Sequence, residues 1–174
     1  MTHRKIIANK INLVLPGELN VSGYTGKIVN YTIEKQLTDD ETWKIFVEQF
    51  RLFSDHDKCW RGEYWGKMMR GGVLTYVATK NRLLYESLTK TVEDLLSTAD
   101  EKGRISTYPP DNELIGWDMW VRKYVMLGLI YYCDICEDEQ FKEKVIATLI
   151  KEADYIIERV GNGDNLKSIF DTSQ

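Results

Sequence analysis

Apolar positions recur at helical spacing along most of this chain, but the helices they predict are of two kinds. Trp43, Phe46, Val47, Phe50 and Phe53 follow the acidic run Asp39-Asp40-Glu41 and predict an amphipathic helix over about 40–53. Leu84, Leu88, Val92, Leu95 and Leu96 predict another over 82–99. Phe141, Val145, Ile146, Leu149, Ala153, Ile156, Ile157 and Val160 predict a third from Asp138, with Gly161 in the position just past a helix end. Two stretches between these read differently. One begins near Tyr64 and sets Met68, Met69, Val73 and Tyr76 on one face, but it also carries Gly66, Gly71 and Gly72. Each of those glycines costs about 1 kcal/mol of helix stability relative to alanine, and glycines so placed admit the close approach of another backbone or a ligand. The other stretch, Trp117 to Tyr132, is apolar on every side of a helical wheel, which predicts an interior helix. Its charges, Asp118, Arg122 and Lys123, gather in the first turns, where they suit the wall of a polar pocket. They leave about ten uninterrupted apolar residues where a bilayer requires roughly 20, so no membrane partner is expected.

Amphipathic helices alternating with glycine-bearing or all-apolar ones form the pattern of stacked helical hairpins, outer and inner by turns. The expected fold is therefore all-α, with the hairpins forming part of an (α/α)6 toroid. No short repeat points instead to a regular solenoid. Residues 1–36 are expected to be a short extended N-terminal segment: a strand-like Ile11-Asn-Leu-Val-Leu15, a Pro16-Gly17 turn, and a bent loop at Val21-Ser-Gly-Tyr-Thr-Gly26. Residues 37–161 would be the partial barrel and 162–174 a loop or frayed tail. The prolines after Gly103-Arg-Ile-Ser-Thr-Tyr-Pro-Pro110 oppose helix, and Ile105 to Tyr108 suit an extended piece at the rim.

A length of 174 residues fits one core, and a formal charge of −4 without a basic stripe argues against nucleic acid. Three cysteines in no disulfide pattern fit a reduced compartment, and Ile6-Ile7-Ala8 is too short for a signal-peptide core, so a cytoplasmic location is expected. Cys133-x-x-Cys136 has the spacing of a redox or zinc half-site, but it lacks a second pair, and His3 and His56 are the only histidines. A four-ligand metal site is not expected. With neither a glycine-rich phosphate loop nor a nucleophile elbow, no cofactor is expected either.

Trp60-Arg-Gly-Glu-Tyr-Trp-Gly-Lys67 puts a carboxylate, an ammonium and three aromatic rings at the start of a core helix. Rings cover the C–H faces of a sugar, and charges bind its hydroxyls. The plainer reading is that Glu63 serves the helix N-terminus while the tryptophans fill the core. Trp117-Asp-Met-Trp-Val-Arg-Lys-Tyr124 repeats the arrangement, with Trp117, Trp120 and Tyr124 on one helix face. Here Asp118 is either the N-terminal acid of its helix or part of a pocket, since charges in an apolar helix must be paired or near water. The candidate substrate-binding residues are Glu63, Trp65, Lys67, Trp117, Asp118, Trp120 and Tyr124, with no catalytic residue assigned. Glu63 and Asp118 would be the pair to share acid/base work across a glycosidic bond, but the sequence does not fix their separation.

These two motifs, together with Gly103-Arg-Ile-Ser-Thr-Tyr108, resemble the N-terminal part of the β-L-arabinofuranosidase-type glycoside hydrolases, and more nearly their bacterial relatives. Ser22-Gly-Tyr-Thr-Gly26 is similar to the glycine loop near the start of those proteins. The likeness spans roughly residues 11–161. It implies an (α/α)6 barrel with sugar bound at one mouth. The family's cysteine nucleophile, glutamate acid/base and cysteine- and glutamate-held zinc belong to the later half of that barrel, which this chain does not reach, so Cys133 and Cys136 do not take those roles. Where the arabinofuranosidases carry a histidine in the corresponding helix, Tyr124 stands here. The resemblance thus implies the substrate-lining part of a glycoside hydrolase acting on arabinofuranoside-like or related glycans, completed by a missing C-terminal half or by homo-oligomerisation. The alternative is a non-catalytic helical module that binds carbohydrate or a protein partner.

Overall fold

The computed structural model describes residues 20–53 and 59–172. Among them are six α-helices and no strand: α1 Gly23–Thr32, α2 Asp40–Leu52, α3 Glu63–Thr79, α4 Arg82–Leu96, α5 Asp118–Cys133 and α6 Glu139–Ile157. A π-helical turn, Ile33–Leu37, extends α1, and short 3-10 turns at Cys59–Gly62 and Pro110–Asn112 lead towards α3 and α5. The fold is all-α, as the hydrophobic rhythm predicts. No helix among the described residues is long and apolar enough to cross a membrane.

Side-chain caps start three of the helices. Asp39 accepts from the Thr42 N–H at 3.1 Å, Asn81 from Leu84 at 3.0 Å and Asp138 from Phe141 at 3.1 Å. Between α3 and α4 the chain turns on Lys80, which holds a left-handed φ of 55°, so the two form a tight helical hairpin. Helices α3 and α5 pack directly on each other, α4 joins α3 to α2, and α6 lies against α5. The core between these layers is Trp43, Val47 and Phe50 of α2, Trp65, Met69 and Val73 of α3, Leu84, Leu88, Val92 and Leu95 of α4, and Val121, Val125, Leu129 and Tyr132 of α5. Its two indole N–H groups are paired: Trp43 donates to the Leu37 carbonyl at 2.9 Å and Trp65 to the Thr91 hydroxyl at 3.0 Å. Such pairing is what buried tryptophan needs.

Three expectations are corrected. Residues 23–37 are helical, not extended. Val29, Ile33 and Leu37 form an i, i+4, i+8 stripe against the core, which the neighbouring glycines hid. The strand-like run at 11–15 and the Pro16-Gly17 turn lie outside the described residues. The last helix stops at Ile157, before Gly161; the tail is a loop, one of the two alternatives, and it folds back on the helix end. Lys167 N–H donates to the Arg159 carbonyl at 2.8 Å, Gly161 N–H donates to the Lys167 carbonyl at 3.0 Å, and Thr172 is buried. Finally, Ile105, Ser106, Thr107 and Tyr108 are buried in the body of the protein and are no rim piece.

Candidate functional site

The site is built where α3 and α5 cross. A Cβ placed on Gly66 would lie 2.0 Å from the Tyr124 carbonyl oxygen, and one on Gly128 would lie 3.1 Å from the Gly66 Cα. The two helices therefore touch backbone to backbone, and only glycine permits it. One consequence is that the first turns of both helices face each other. Glu63 and Lys67, on either side of Gly66 along α3, meet Trp120 and Tyr124 of α5. Lys67 Nζ lies 2.8 Å from one Glu63 carboxylate oxygen, and the Trp120 indole N–H donates to the other.

Trp60, Glu63, Lys67, Trp117 and Trp120 line a hollow of about 310 Å³ at this mouth. Trp117 and Trp120 meet edge to face with centroids 5.8 Å apart, and Trp120 meets Tyr124 in the same way at 5.2 Å. Both indoles stay substantially in contact with solvent, 42% exposed for Trp117 and 36% for Trp120. Lys67 Nζ stands 4.8 Å from the Tyr124 ring centroid, and Lys123 Nζ lies 3.4 Å from that of Trp120 and 4.2 Å from that of Tyr124. Five candidates, Glu63, Lys67, Trp117, Trp120 and Tyr124, are thus gathered in one place. Two residues outside the candidate substrate-binding set also contribute, Trp60 in the wall and Lys123 on the rings. Trp60 could have been found in the quoted motif, where it sits three residues before Glu63.

Trp65 and Asp118 do not belong to this surface. Trp65 is fully buried and spends its indole N–H on Thr91. Asp118 is also fully buried, in an ion cluster behind the hollow. It accepts from Ser106 Oγ at 2.5 Å, from Leu114 N–H at 2.7 Å and from Arg122 Nε at 2.9 Å. Arg122 also donates to Glu152 at 2.7 Å and to Glu113 at 2.6 Å. Arg104 and the Tyr155 hydroxyl donate to Glu113 as well, and the Ile105 N–H donates to Glu152 at 2.8 Å. The cluster ties α5 and α6 to the 104–114 connection. Glu63 and Asp118 therefore do not share a wet hollow, because Asp118 is committed to a buried guanidinium one helical turn on.

Three carboxylates face two guanidinium groups in this cluster, and Glu152 is the one raised. Burial pushes its carboxyl up to about 7, against the pull of Arg122 and the Ile105 N–H. Burial also pushes Glu113 upward, but Tyr155, Arg104 and Arg122 outweigh it and hold that group below the usual carboxylate value. The two have opposite consequences for stability. A carboxyl raised by folding favours the folded state at low pH, and that contribution is lost as pH climbs from about 4.5 through 7. A lowered one contributes above the ordinary value and is lost on acidification. Stability measured by denaturant unfolding should fall by up to about 3 kcal/mol between pH 5 and pH 8. Glu152→Gln should flatten that slope whatever it does to the baseline. An unchanged slope in Glu152→Gln would remove Glu152 as its source.

A larger groove of about 570 Å³ runs between α2 and α4, but it is bridged by ion pairs. Arg51 meets Asp94 at 2.5 Å, and Lys90 meets Asp40. These two pairs join the helices across it, and Lys44 and Glu48 each pair within α2, so the aromatic hollow is the stronger candidate. Among the described residues no group of three or more His, Cys, Asp or Glu side chains is arranged to hold a metal ion. Comparison with protein-family models, with curated proteins and with solved structures finds no match for this chain.

Proposed function

We propose that this chain binds carbohydrate in the hollow between the first turns of α3 and α5, as the substrate-lining N-terminal part of a glycoside hydrolase of the β-L-arabinofuranosidase type. The observation that carries the reading is a carboxylate, Glu63, fixed by Lys67 and the Trp120 indole and walled by Trp60 and Trp117. Indole faces and edges cover the C–H surface of a sugar ring. Glu63 uses one lone pair on each oxygen for its present partners, so each oxygen can accept a further bond from a sugar hydroxyl. Lys67 has donors to spare for the ring or glycosidic oxygens. In this reading α3 and α5 are neighbouring inner helices of an (α/α)6 toroid and α2, α4 and α6 its outer layer. Further helices, from more of the chain or from a second copy, would close the ring.

One finding favours the non-catalytic alternative. Hydrolysis by a carboxylate pair needs two acids flanking the bond, and those of retaining enzymes stand about 5 Å apart. With Asp118 locked to Arg122, Glu63 is the single acid of the hollow among the described residues. Binding is therefore the function assigned to these residues, and any catalytic partner must come from elsewhere.

Tryptophan fluorescence and calorimetric titration with arabino-, xylo- and uronate-containing oligosaccharides test this, alongside aryl arabinofuranoside hydrolysis. Trp120→Ala should weaken binding at least about tenfold, since it removes a ring and frees Glu63. Glu63→Gln should weaken it less. Turnover that Glu63→Gln abolishes would support the enzyme; saturable binding without turnover would support the module. If no oligosaccharide perturbs the tryptophan signal at millimolar concentration, the proposal fails.

A further inference from the structure

The charges around the hollow do not balance. Lys67 is neutralised by Glu63 at 2.8 Å, and Asp118 behind the wall is matched by Arg122 at 2.9 Å. Lys123 is different. Among the described residues it forms no ion pair with a carboxylate, and its ammonium rests on the rings of Trp120 and Tyr124 instead, at 3.4 and 4.2 Å from their centroids. What marks Lys123 is its place: the ring it covers most closely, Trp120, is itself a wall of the hollow. An ammonium held against ring faces in contact with water is weakly retained and can swing on its four-carbon stem towards a better partner. The hollow itself presents one carboxylate, Glu63, and one ammonium whose charge that carboxylate neutralises, Lys67, while the second ammonium, Lys123, lies on the Trp120 wall.

We infer that the hollow takes an acidic sugar, a uronate, whose ring stacks on the Trp60, Trp117 and Trp120 wall and whose carboxylate pairs with Lys123. This rests on the carbohydrate reading above and adds the class of sugar to it. A neutral pentose would leave Lys123 without a role. A carboxylate on the sugar gives it an opposite charge within reach, an interaction worth more at a half-dry aromatic surface than in open water.

The test is a matched titration of the whole chain with tri-galacturonate and with neutral arabino- and xylotrioses, at 50 mM and 500 mM salt. Tri-galacturonate should bind at least about tenfold more tightly at low salt, and high salt should shrink that preference, because the pair is exposed to screening ions. Lys123→Gln should bring the acidic-to-neutral ratio down to about one, while Lys123→Arg, which keeps the charge, should preserve it. Lys123 is exposed, so both variants should fold normally, which thermal unfolding verifies. Equal affinity for acidic and neutral trisaccharides would overturn the uronate inference and leave the carbohydrate reading standing. A preference that survives Lys123→Gln would overturn the assignment to Lys123. Absence of binding by any of the trisaccharides would overturn both.

Discussion

Arg122→Met should cost the protein about 3–5 kcal/mol of stability, read from the midpoint of denaturant unfolding at constant slope. Arg122 is fully buried and donates to three carboxylates on three separate pieces of chain: Asp118 in its own helix, Glu113 in the connection and Glu152 in α6. Burial works against its charge, but Asp118, Glu152 and Glu113 outweigh that and hold it more firmly protonated than a free arginine. Methionine keeps the packing of the stem and removes the guanidinium, so the loss reports chiefly the ion cluster, with a smaller share from the vacated volume. Three acids left facing one guanidinium, Arg104, cannot all stay ionised without water. Adding Asp118→Asn and Glu152→Gln to Arg122→Met should recover part of the loss, because the unpaired charges disappear with their partner. A cost below about 1 kcal/mol for Arg122→Met would mean that the cluster is wet and that it does not fasten α6 to the rest of the fold. Asp118→Asn, which on a sugar-site reading would be a binding variant, is expected to act first on stability for the same reason.

The case of Asp118 shows where a sequence stops being legible. Its pattern, a charge in the first turn of an apolar helix, requires either water or a partner, and both are consistent with Trp117-Asp-Met-Trp-Val-Arg122. Arg122 at i+4 was visible as a partner. Glu113 and Glu152 were not, since nothing local brings residues 9 and 30 positions away onto one guanidinium. Trp65 failed in a related way. Trp60, Trp65, Trp117 and Trp120 look alike in the chain, and the difference between core plug and pocket wall is decided by whether Thr91 of another helix lies in reach of the indole nitrogen. What was legible was helical rhythm and its exceptions. The glycines of the stretch that begins near Tyr64 announced a close approach without naming what approaches. The N-terminal helix was lost because Gly23 and Gly26 outvoted the Val29, Ile33 and Leu37 stripe, which a longer window would have favoured. The grouping of Glu63, Lys67, Trp117, Trp120 and Tyr124 was readable because each motif carries its own half of the site within about two turns of helix. The joining of the halves depends on a single crossing.

That crossing yields the second large expected effect. Gly66→Val should destabilise the fold by about 3 kcal/mol or more and should separate the two halves of the hollow together. The added Cβ would stand 2.0 Å from the Tyr124 carbonyl oxygen and 2.3 Å from its carbonyl carbon, so the obstacle is α5 backbone and no side chain can turn aside. Relief requires α3 and α5 to move apart near Gly128, where an added Cβ would likewise lie only 3.1 Å from Gly66 Cα. Glu63 is held by Lys67 from its own helix but by Trp120 from the other, so moving the helices apart breaks the second bond and leaves the first. Gly66→Ala should show the same sign with a smaller magnitude. Gly71 supplies the control within the same helix. A Cβ there meets nothing within 4 Å, so Gly71→Ala should stabilise the protein by about 0.5–1 kcal/mol through helix propensity alone. The pair is measured by thermal unfolding, with tryptophan emission as the local reading at Trp120: a red shift is expected for Gly66→Ala and none for Gly71→Ala. Equal responses at the two glycines would mean that α3 tolerates displacement from α5, and that the hollow is not set by the backbone contact at Gly66.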